Sequence, residues 1–334
     1  MEACFGIDIG TTSVAGVAVG IGGKCLRAVT RAHGADCAGL PEECHEQEPG
    51  RLLSAVRQVL SDLEASCGRP QAIGWTGQMH GVVGVDADLR PITKFVTWRD
   101  GRRYGGRVMS DWHARGIRPH KCLPICALAL GEAVIDGTFL HSWYLDEPGL
   151  SFPREWLPDV ADGRMLGDNQ AGVYAAQRLF PGCAVVNLGT SGQLSVVRDV
   201  RFGGRALPGV AAADGSRREL RPYPQGKTLE CRASMIGGAA WADLRKELGL
   251  TWEEMNETDD PRVSACARRI VDDLFDGIDL AGVADVVCAG NALAKNPALV
   301  RALESRSGRT CRLPELPEMA ACGAAFWAMD GESR

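Results

Sequence analysis

Two hydroxyl side chains follow a glycine directly after an apolar strand near the start of the chain. The stretch is F-G-I-D-I-G-T-T-S-V, an apolar run that carries one carboxylate, Asp8, and turns at Gly10. Gly10 allows the backbone to approach a ligand closely, and the amides and hydroxyls of Thr11 and Thr12 can donate to phosphate oxygens. Asp8 can hold Mg²⁺ through water. The pattern predicts a phosphate-binding hairpin, although an ordinary hairpin with a strand-end acid would show the same residues.

The same arrangement recurs near the middle of the chain. Residues 184–195 are A-V-V-N-L-G-T-S-G-Q-L-S, again a strand, a glycine turn, two hydroxyls and a return strand, with Asn187 in the place of Asp8. The turn residues of this second hairpin are Gly189, Thr190 and Ser191. A second copy favours the phosphate-binding interpretation over chance.

A further pair of segments repeats in the same order. Residues 72–78 are A-I-G-W-T-G-Q and residues 285–291 are D-V-V-C-A-G-N, each a short strand that ends in a small residue, a glycine and an amide. Two ordered repeats predict duplicated α/β domains that face each other across a cleft. A nucleotide triphosphate clamped between the two hairpins is the expected ligand.

Composition narrows the classes of protein. The chain has 334 residues, 45% of them apolar and 24% charged, which is enough for two cores of about 150 residues each. A net charge of −5 without a basic run argues against nucleic acid as a partner. No apolar stretch approaches ~20 residues and no export signal precedes the first hairpin, so we expect a soluble cytoplasmic protein with no membrane partner.

Thirteen cysteines occur without a C-x-x-C pair, which favours reduced thiols in a cytosol. Cys122 with Cys126, and Cys37 with Cys44 and His45, are alternatives as metal ligands, but neither spacing is diagnostic.

Polar and aromatic residues after two strands are suited to a polyol. Gln78 and His80 offer donors and acceptors for sugar hydroxyls at the end of a strand, and Met79 offers an apolar surface. Trp98 can cover the C–H face of a sugar while Asp100 binds hydroxyls. The alternatives are an ordinary surface or core histidine and a solvated turn with a buried tryptophan.

A carboxylate suited to proton transfer lies between the halves. Asp168 follows a glycine at the N-cap position of an Ala-rich helix. As an isolated feature it is an ordinary cap. Beside two phosphate hairpins it is a candidate base for a substrate hydroxyl, because a kinase needs a carboxylate in that role.

The elements that position these residues are partly visible in the sequence. Apolar periodicity predicts a helix over Arg51–Cys67 that ends at Gly68, and a second helix that begins after Asp260 at Pro261. The stretch from Ala32 to Gly50 is expected to be a mobile loop. The segment 104–162 shows weak periodicity.

The ordered motifs D-I-G-T-T-S, G-Q-M-H-G-V-V, W-R-D-G-R, G-D-N-Q-A-G, N-L-G-T-S-G-Q-L, I-G-G and A-G-N-A-L resemble the FGGY family of carbohydrate kinases. The resemblance implies an α/β fold of duplicated ribonuclease H-like, actin-like ATPase domains around a central cleft. It places a sugar-binding domain at residues 1–178 and a nucleotide-binding domain at 179–334. ATP and Mg²⁺ are the implied cofactors, and the protein is expected to be a monomer or homodimer.

The implied reaction is transfer of the γ-phosphate of ATP to a ketose hydroxyl. G-T-S-G-Q-L and L-R-P-Y-P favour sedoheptulose, giving sedoheptulose 7-phosphate, with xylulose or a related pentulose or polyol as the alternative. The alternative from another class is a non-catalytic ATP- and sugar-binding sensor on the same fold. The chain is shorter than is usual in the family, because 104–162 is abbreviated and a long insertion before Pro261 is missing.

The resemblance also implies individual roles. Asp168 would be the general base and Asp8 would organise Mg²⁺. The phosphates would be contacted by Gly10, Thr11, Thr12, Gly189, Thr190 and Ser191, the adenosine by Gly238, Gly290 and Asn291, and the sugar by Gln78, Met79, His80, Trp98 and Asp100.

Overall fold

A computed structural model describes residues 2–78, 81–86, 90–102, 111, 112, 114–120, 166–189, 191–200, 218–234 and 236–331. Three predicted site residues, Met79, His80 and Thr190, lie outside the described residues, as do Cys122 and Cys126. The chain divides into two compact units. Unit 1 is Met1–Ala175 together with Leu316–Arg334, and unit 2 is Ala176–Glu315.

Unit 1 is built on a four-stranded sheet. Its described strands are β1 (Ala3–Ile9), β2 (Ser13–Gly20), β3 (Cys25–Ala32), β4 (Glu46–Gln47), β5 (Ile73–Gly77), β6 (Val83–Val85), β7 (Phe95–Val96) and β8 (Arg118–His120). The main sheet has the order β3-β2-β1-β5, in which β1 is antiparallel to β2 and parallel to β5. Two small sheets, β4-β7 and β6-β8, accompany it.

One face of this sheet is covered by helix α1 (Pro49–Cys67). Alternate residues of β1, including Phe5 and Ile7, pack with the buried stripe of α1, which contains Val56 and Val59. The helix ends where Gly68 adopts a φ of 78° and its N–H donates to the Glu64 carbonyl over 2.8 Å. The predicted helix is therefore confirmed, with its start two residues earlier.

The opposite face receives the last helix of the chain. This helix, α8 (Met319–Gly331), lies on the face of β1 and β5 opposite to α1. Another helix, α2 (Asp168–Leu179), starts in unit 1. A Cβ on Gly6 would lie 1.9 Å from the Ala321 carbonyl oxygen, and one on Gly74 would lie 1.9 Å from that of Ala324. These two positions require glycine because the helix backbone occupies the side-chain space.

The stretch from Ala32 to Gly50 is a loop that contains some long-range backbone pairing. The Cys37 amide donates to the Glu46 carbonyl over 2.9 Å and the Glu48 amide donates to the Ala35 carbonyl over 2.8 Å. Asp36 forms a bridge with Gln47 in β4, which pairs in turn with β7. Local sequence patterns do not show this pairing, and the mobility of the loop stays a prediction.

Unit 2 repeats the strand arrangement of unit 1. Its strands are β9 (Ala184–Leu188), β10 (Gly192–Arg198), β11 (Arg218–Tyr223), β12 (Lys227–Ser234), β13 (Val286–Ala289) and β14 (Cys311–Arg312). They form one sheet in the order β11-β12-β10-β9-β13-β14. Strand β9 is antiparallel to β10 and parallel to β13, as β1 is to β2 and β5. The predicted duplication is confirmed at the level of topology.

Helices cover the sheet of unit 2. They are α3 (Gly238–Leu248), α4 (Trp252–Glu257), α5 (Pro261–Phe275), α6 (Asn291–Lys295) and α7 (Pro297–Ser307). The predicted start of α5 is confirmed, since the Asp260 side chain accepts a hydrogen bond from the Arg262 amide over 2.9 Å. No helix among the described residues is long and apolar enough to cross a membrane.

Candidate active site

The turn between β1 and β2 is fixed by hydrogen bonds to its backbone. The Gly10 amide donates to the Ser13 carbonyl over 2.9 Å, and the Thr12 carbonyl accepts from the His33 amide over 3.3 Å. The Thr11 carbonyl accepts from Nε2 of Gln47 over 2.7 Å. Thr12 is exposed, so a ligand can reach it at this turn.

Asp8 precedes this turn and has an unsatisfied oxygen. Among the described residues, its Oδ1 is buried without a hydrogen-bond partner, as is Oγ1 of Thr76, the residue in register with it on β5. Burial, followed by the negative charges of Asp168 and Glu318, raises the pKa of Asp8 to about 7. A partly buried carboxylate beside two acids, with one buried and unused oxygen, fits a site that receives a cation.

Glu318 is a carboxylate that the sequence reasoning missed. It lies immediately before α8, adopts a φ of 48°, and accepts a hydrogen bond from the Thr30 hydroxyl over 2.7 Å. A positive φ is uncommon for a residue with a side chain. Since 310 residues separate Glu318 from Asp8 in the chain, no local pattern indicated that the two carboxylates interact.

Asp168 is exposed at the first position of α2. Its Oδ1 accepts a hydrogen bond from the Asn169 amide over 2.7 Å. The Leu166 amide donates to the Trp75 carbonyl over 3.0 Å, which fixes the segment before α2 beside β5. Gly323 lets α2 and α8 pack closely, because a Cβ on Gly323 would lie 1.7 Å from the Ala171 carbonyl oxygen. The structure thus brings together the predicted base and the predicted metal-binding carboxylate, Asp8, in unit 1.

Gln78 and Trp98, two residues predicted to bind sugar, contact the turn formed by Gly10 and Thr11. Nε2 of Gln78 donates to the Gly10 carbonyl over 3.3 Å, and Nε1 of Trp98 donates to Oγ1 of Thr11 over 2.9 Å. Trp98 is 42% exposed, which leaves part of its ring accessible to a ligand. Both side chains are therefore held at the end of β1 by the residues predicted to bind phosphate.

Asp100 is fully buried and occupied by contacts within the protein. Its two oxygens accept from the His45 amide over 2.8 Å and from Arg102, whose Nη2 lies 2.6 Å away. Burial raises the pKa of Asp100, but the hydrogen bonds from Arg102 and His45 outweigh it, so that the pKa lies below its usual range. In this geometry the carboxylate orders the Trp98-to-Arg102 turn.

Among the described residues, Cys37, Cys44 and His45 form no metal-binding arrangement. His45 Nδ1 lies 2.6 Å from the Thr97 hydroxyl. Over the residues that the structure describes, no three His, Cys, Asp or Glu side chains form a group that could hold a metal ion. A cation near Asp8 would thus take most of its ligands from water or from phosphate, as Mg²⁺ commonly does.

Three predicted glycines of unit 2 converge at the end of β9. The Gly238 amide donates to the Gly189 carbonyl over 2.9 Å, and a Cβ on Gly238 would lie 2.4 Å from that oxygen. Gly290 has a φ of 90°, and a Cβ there would lie 2.5 Å from the Leu188 carbonyl oxygen. Asn291 follows as the exposed first residue of α6. Ser191 is exposed, and the Gly189 amide donates to its carbonyl over 3.0 Å.

Comparison with known proteins finds a family match for the first part of the chain. Residues 3–127 match the N-terminal domain of the FGGY family of carbohydrate kinases. This matched segment, residues 3–127, contains Asp8, the Gly10 turn, Gln78 and Trp98.

Curated relatives of the matched segment are sugar kinases. A xylulose kinase from Staphylococcus epidermidis is 30% identical over 108 residues, which are 30% of this chain and 21% of that protein. A gluconokinase from Bacillus licheniformis is 28% identical over 129 residues, which are 37% of this chain and 25% of that protein. The matched stretch therefore spans about a fifth to a quarter of the length of these relatives.

The structural likeness extends over both units. The crystal structure of a ligand-bound xylulose kinase from Lactobacillus acidophilus superposes with a TM-score of 0.75 at 16% identity, covering 100% of this chain and 90% of that chain. At this identity the likeness establishes the fold alone. The chain has the α/β, duplicated actin-like ATPase fold that the sequence predicted.

Proposed function

We propose that the chain is an ATP-dependent sugar kinase. The observation that carries the proposal is the pairing in unit 1 of a partly buried carboxylate whose Oδ1 is buried and unused, Asp8, and an exposed carboxylate at a helix start, Asp168. Such a pair separates two tasks, because the acid with the buried oxygen is suited to a cation and the exposed acid to a substrate hydroxyl. The names of the relatives of the matched segment support the same class of reaction.

In the proposed reaction Asp168 accepts the proton of the sugar hydroxyl as that oxygen attacks the γ-phosphorus of ATP. Its position at the start of α2 orients the carboxylate at a helix N-terminus, which is a favourable place for negative charge. Gln78 and Trp98 would orient the sugar, and Met79 and His80 remain predicted contacts. Positioning and charge neutralisation supply most of the rate in phosphoryl transfer.

ATP and Mg²⁺ are proposed as cofactors. Mg²⁺, when bound, would neutralise charge on the phosphate oxygens. Asp8 would hold it, and the backbone of Gly10, Thr11 and Thr12 would donate to the phosphates. In unit 2 the hairpin residues Gly189, Thr190 and Ser191 would contact phosphate, and the glycines at the end of β9, with Asn291, would approach the adenosine, because side-chain-free backbone permits close contact with a ligand.

We propose that the sugar substrate is a ketose or a sugar acid. The relatives of the matched segment are named for xylulose and gluconate, which supports xylulose ahead of the sedoheptulose that the motifs favour. A short polyhydroxylated substrate fits one exposed indole ring and one buried amide oxygen as recognition groups.

An assay of ADP release with Mg-ATP against xylulose, gluconate, sedoheptulose and glycerol tests the proposal. We expect sugar-dependent turnover with one member of the panel and a loss of at least about 10³-fold in kcat for Asp168→Asn, because the amide cannot accept the proton. Asp62→Asn is the matched control, since Asp62 pairs with Arg31 on the outside of unit 1.

Two outcomes would contradict the proposal. Nucleotide binding without sugar-dependent turnover would favour the non-catalytic sensor on the same fold. Full turnover in Asp168→Asn would exclude this carboxylate as the base. Direct identification of the phosphorylated product by mass spectrometry would settle which sugar is used.

A further inference from the structure

Gln47 is a buried amide whose hydrogen-bonding groups are all occupied. The side chain has 0% exposure. Its Nε2 donates to the Thr11 carbonyl and to Oδ1 of Asp36, each over 2.7 Å, and its Oε1 accepts from Nε2 of Gln78 over 3.0 Å. Because both N–H donors and the carbonyl oxygen have partners, the amide has one orientation that satisfies them.

Backbone pairing with β7 and Asp36 holds Gln47 in place independently of the turn that its side chain contacts. It lies in β4, pairs with Phe95 of β7, and forms a bridge with Asp36. The Glu48 amide beside it donates to the Ala35 carbonyl over 2.8 Å. A side chain anchored in this way on both sides can hold the Thr11 carbonyl at a fixed position.

Gln78 extends the connection to the sugar side. Its Nε2 lies between Gln47 and the Gly10 carbonyl, and its backbone amide donates to Ile9 over 2.9 Å. Its Oε1 is buried and has no hydrogen-bond partner among the described residues. With the amide nitrogen committed to the turn, the carbonyl oxygen is the group left for a ligand, and it can only accept from a hydroxyl or an amine.

We infer that Gln47 is a positioning residue that locks the Gly10-Thr11 turn and joins it to Gln78, so that the phosphate turn and the sugar-side amide form one hydrogen-bonded unit. This inference rests on the proposed function, since it assigns phosphate to the turn and a sugar hydroxyl to Gln78. Two adjacent carbonyls, those of Gly10 and Thr11, are held by two linked amides. Gln47 sets the peptide plane of the Thr11 carbonyl directly, and it sets that of the Gly10 carbonyl through Gln78, so that the pair fixes the N–H groups offered to a phosphate.

The decisive variant is Gln47→Glu, which keeps the shape and the acceptor for Gln78 but removes both donations. Gln47→Met removes all three hydrogen bonds at similar volume. Gln177→Met is the matched control, because the Gln177 amide is likewise hydrogen-bonded on both sides. Its Nε2 donates to the Cys183 carbonyl over 2.6 Å and its Oε1 accepts from the Gly182 amide over 3.0 Å. Asp36→Ala removes one partner of Gln47 from an exposed position and serves if both Gln47 variants fail to fold.

Hydrogen exchange gives a readout that does not depend on turnover. We expect amides of residues 7–14 to exchange at least about tenfold faster in Gln47→Glu and Gln47→Met, and about threefold faster in Asp36→Ala. In the kinase assay we expect the KM for Mg-ATP to rise at least about tenfold while kcat at saturating ATP falls less than about threefold. Gln177→Met should change neither quantity more than about twofold.

Wild-type exchange at residues 7–14 together with a wild-type KM in Gln47→Glu would overturn the inference. A loss limited to thermal stability, with an unchanged KM, would also overturn it, since that is the result of a merely structural role. Failure of the proposed function is distinguishable: no sugar would be phosphorylated by the wild type, while the exchange at residues 7–14 and the Kd for a non-hydrolysable ATP analogue would still respond to Gln47 substitution.

Discussion

At the scale of single residues, the turn after β1 is held by side chains from distant parts of the chain. Gln47 and Gln78 lie 36 and 68 residues away from their partners in the turn, and Trp98 lies 87 residues away. Only Asp8 and the turn itself carry a local pattern. The sequence therefore predicts which backbone binds phosphate, whereas the side chains that fix this backbone are defined by tertiary contacts.

His33 introduces a pH dependence into the same turn. Burial lowers the pKa of His33 below 6.5, partly offset by the Gly10 carbonyl. The folded protein therefore binds fewer protons than the unfolded chain, so this residue's contribution to stability is lost as the pH falls through the range below the unfolded pKa of about 6.5. We expect the urea midpoint of the wild type to fall more between pH 7 and pH 5 than that of His33→Gln. Parallel pH profiles for the two proteins would contradict this assignment.

At the scale of elements, the position of α8 depends on glycines in two strands. Gly6 and Gly74 leave room for the helix backbone, as described above, and the sequence shows them only as part of strand patterns. Periodicity identifies α1 and α5 because each has an apolar stripe. It gives no orientation for α8, whose residues are apolar on most sides and include a run of small ones.

We expect Gly74→Ala to destabilise the protein by about 3 kcal/mol or more, because the added Cβ would overlap the Ala324 carbonyl and force α8 away from the sheet. Gly172→Ala is the control. That position is helical, a Cβ there meets no atom within 4 Å, and the substitution should be neutral or stabilise by up to about 1 kcal/mol. Chemical denaturation of both variants measures the difference, and equal stabilities would show that α8 adjusts without cost.

At the scale of the whole molecule, the first unit is discontinuous. The sequence predicts a change of domain near residue 178, and the structure divides the units between residues 175 and 176. It also assigns Leu316–Arg334 to unit 1, which the motif order did not predict. The sequence of a helix made of small residues does not indicate the sheet on which the helix packs.

Deletion of residues 316–334 should therefore damage the unit that lies farthest away in sequence. We expect faster hydrogen exchange in β1 and β5, because the face that carries Gly6 and Gly74 would be exposed to water. Strands β9 and β13 should keep their protection, since the core of unit 2 is formed within Ala176–Glu315. Loss of protection confined to unit 2 would contradict this division of the chain.

The discontinuity also imposes an order on synthesis. All of unit 2 leaves the ribosome before α8 is made, so the second unit can complete its sheet while the first still lacks a layer. During translation, the apolar face of β1 and β5 stays uncovered until α8 has been synthesised. The hairpin proposed to bind phosphate lies near the start of the sequence, yet its sheet is thus among the last parts of the nascent protein to be completed.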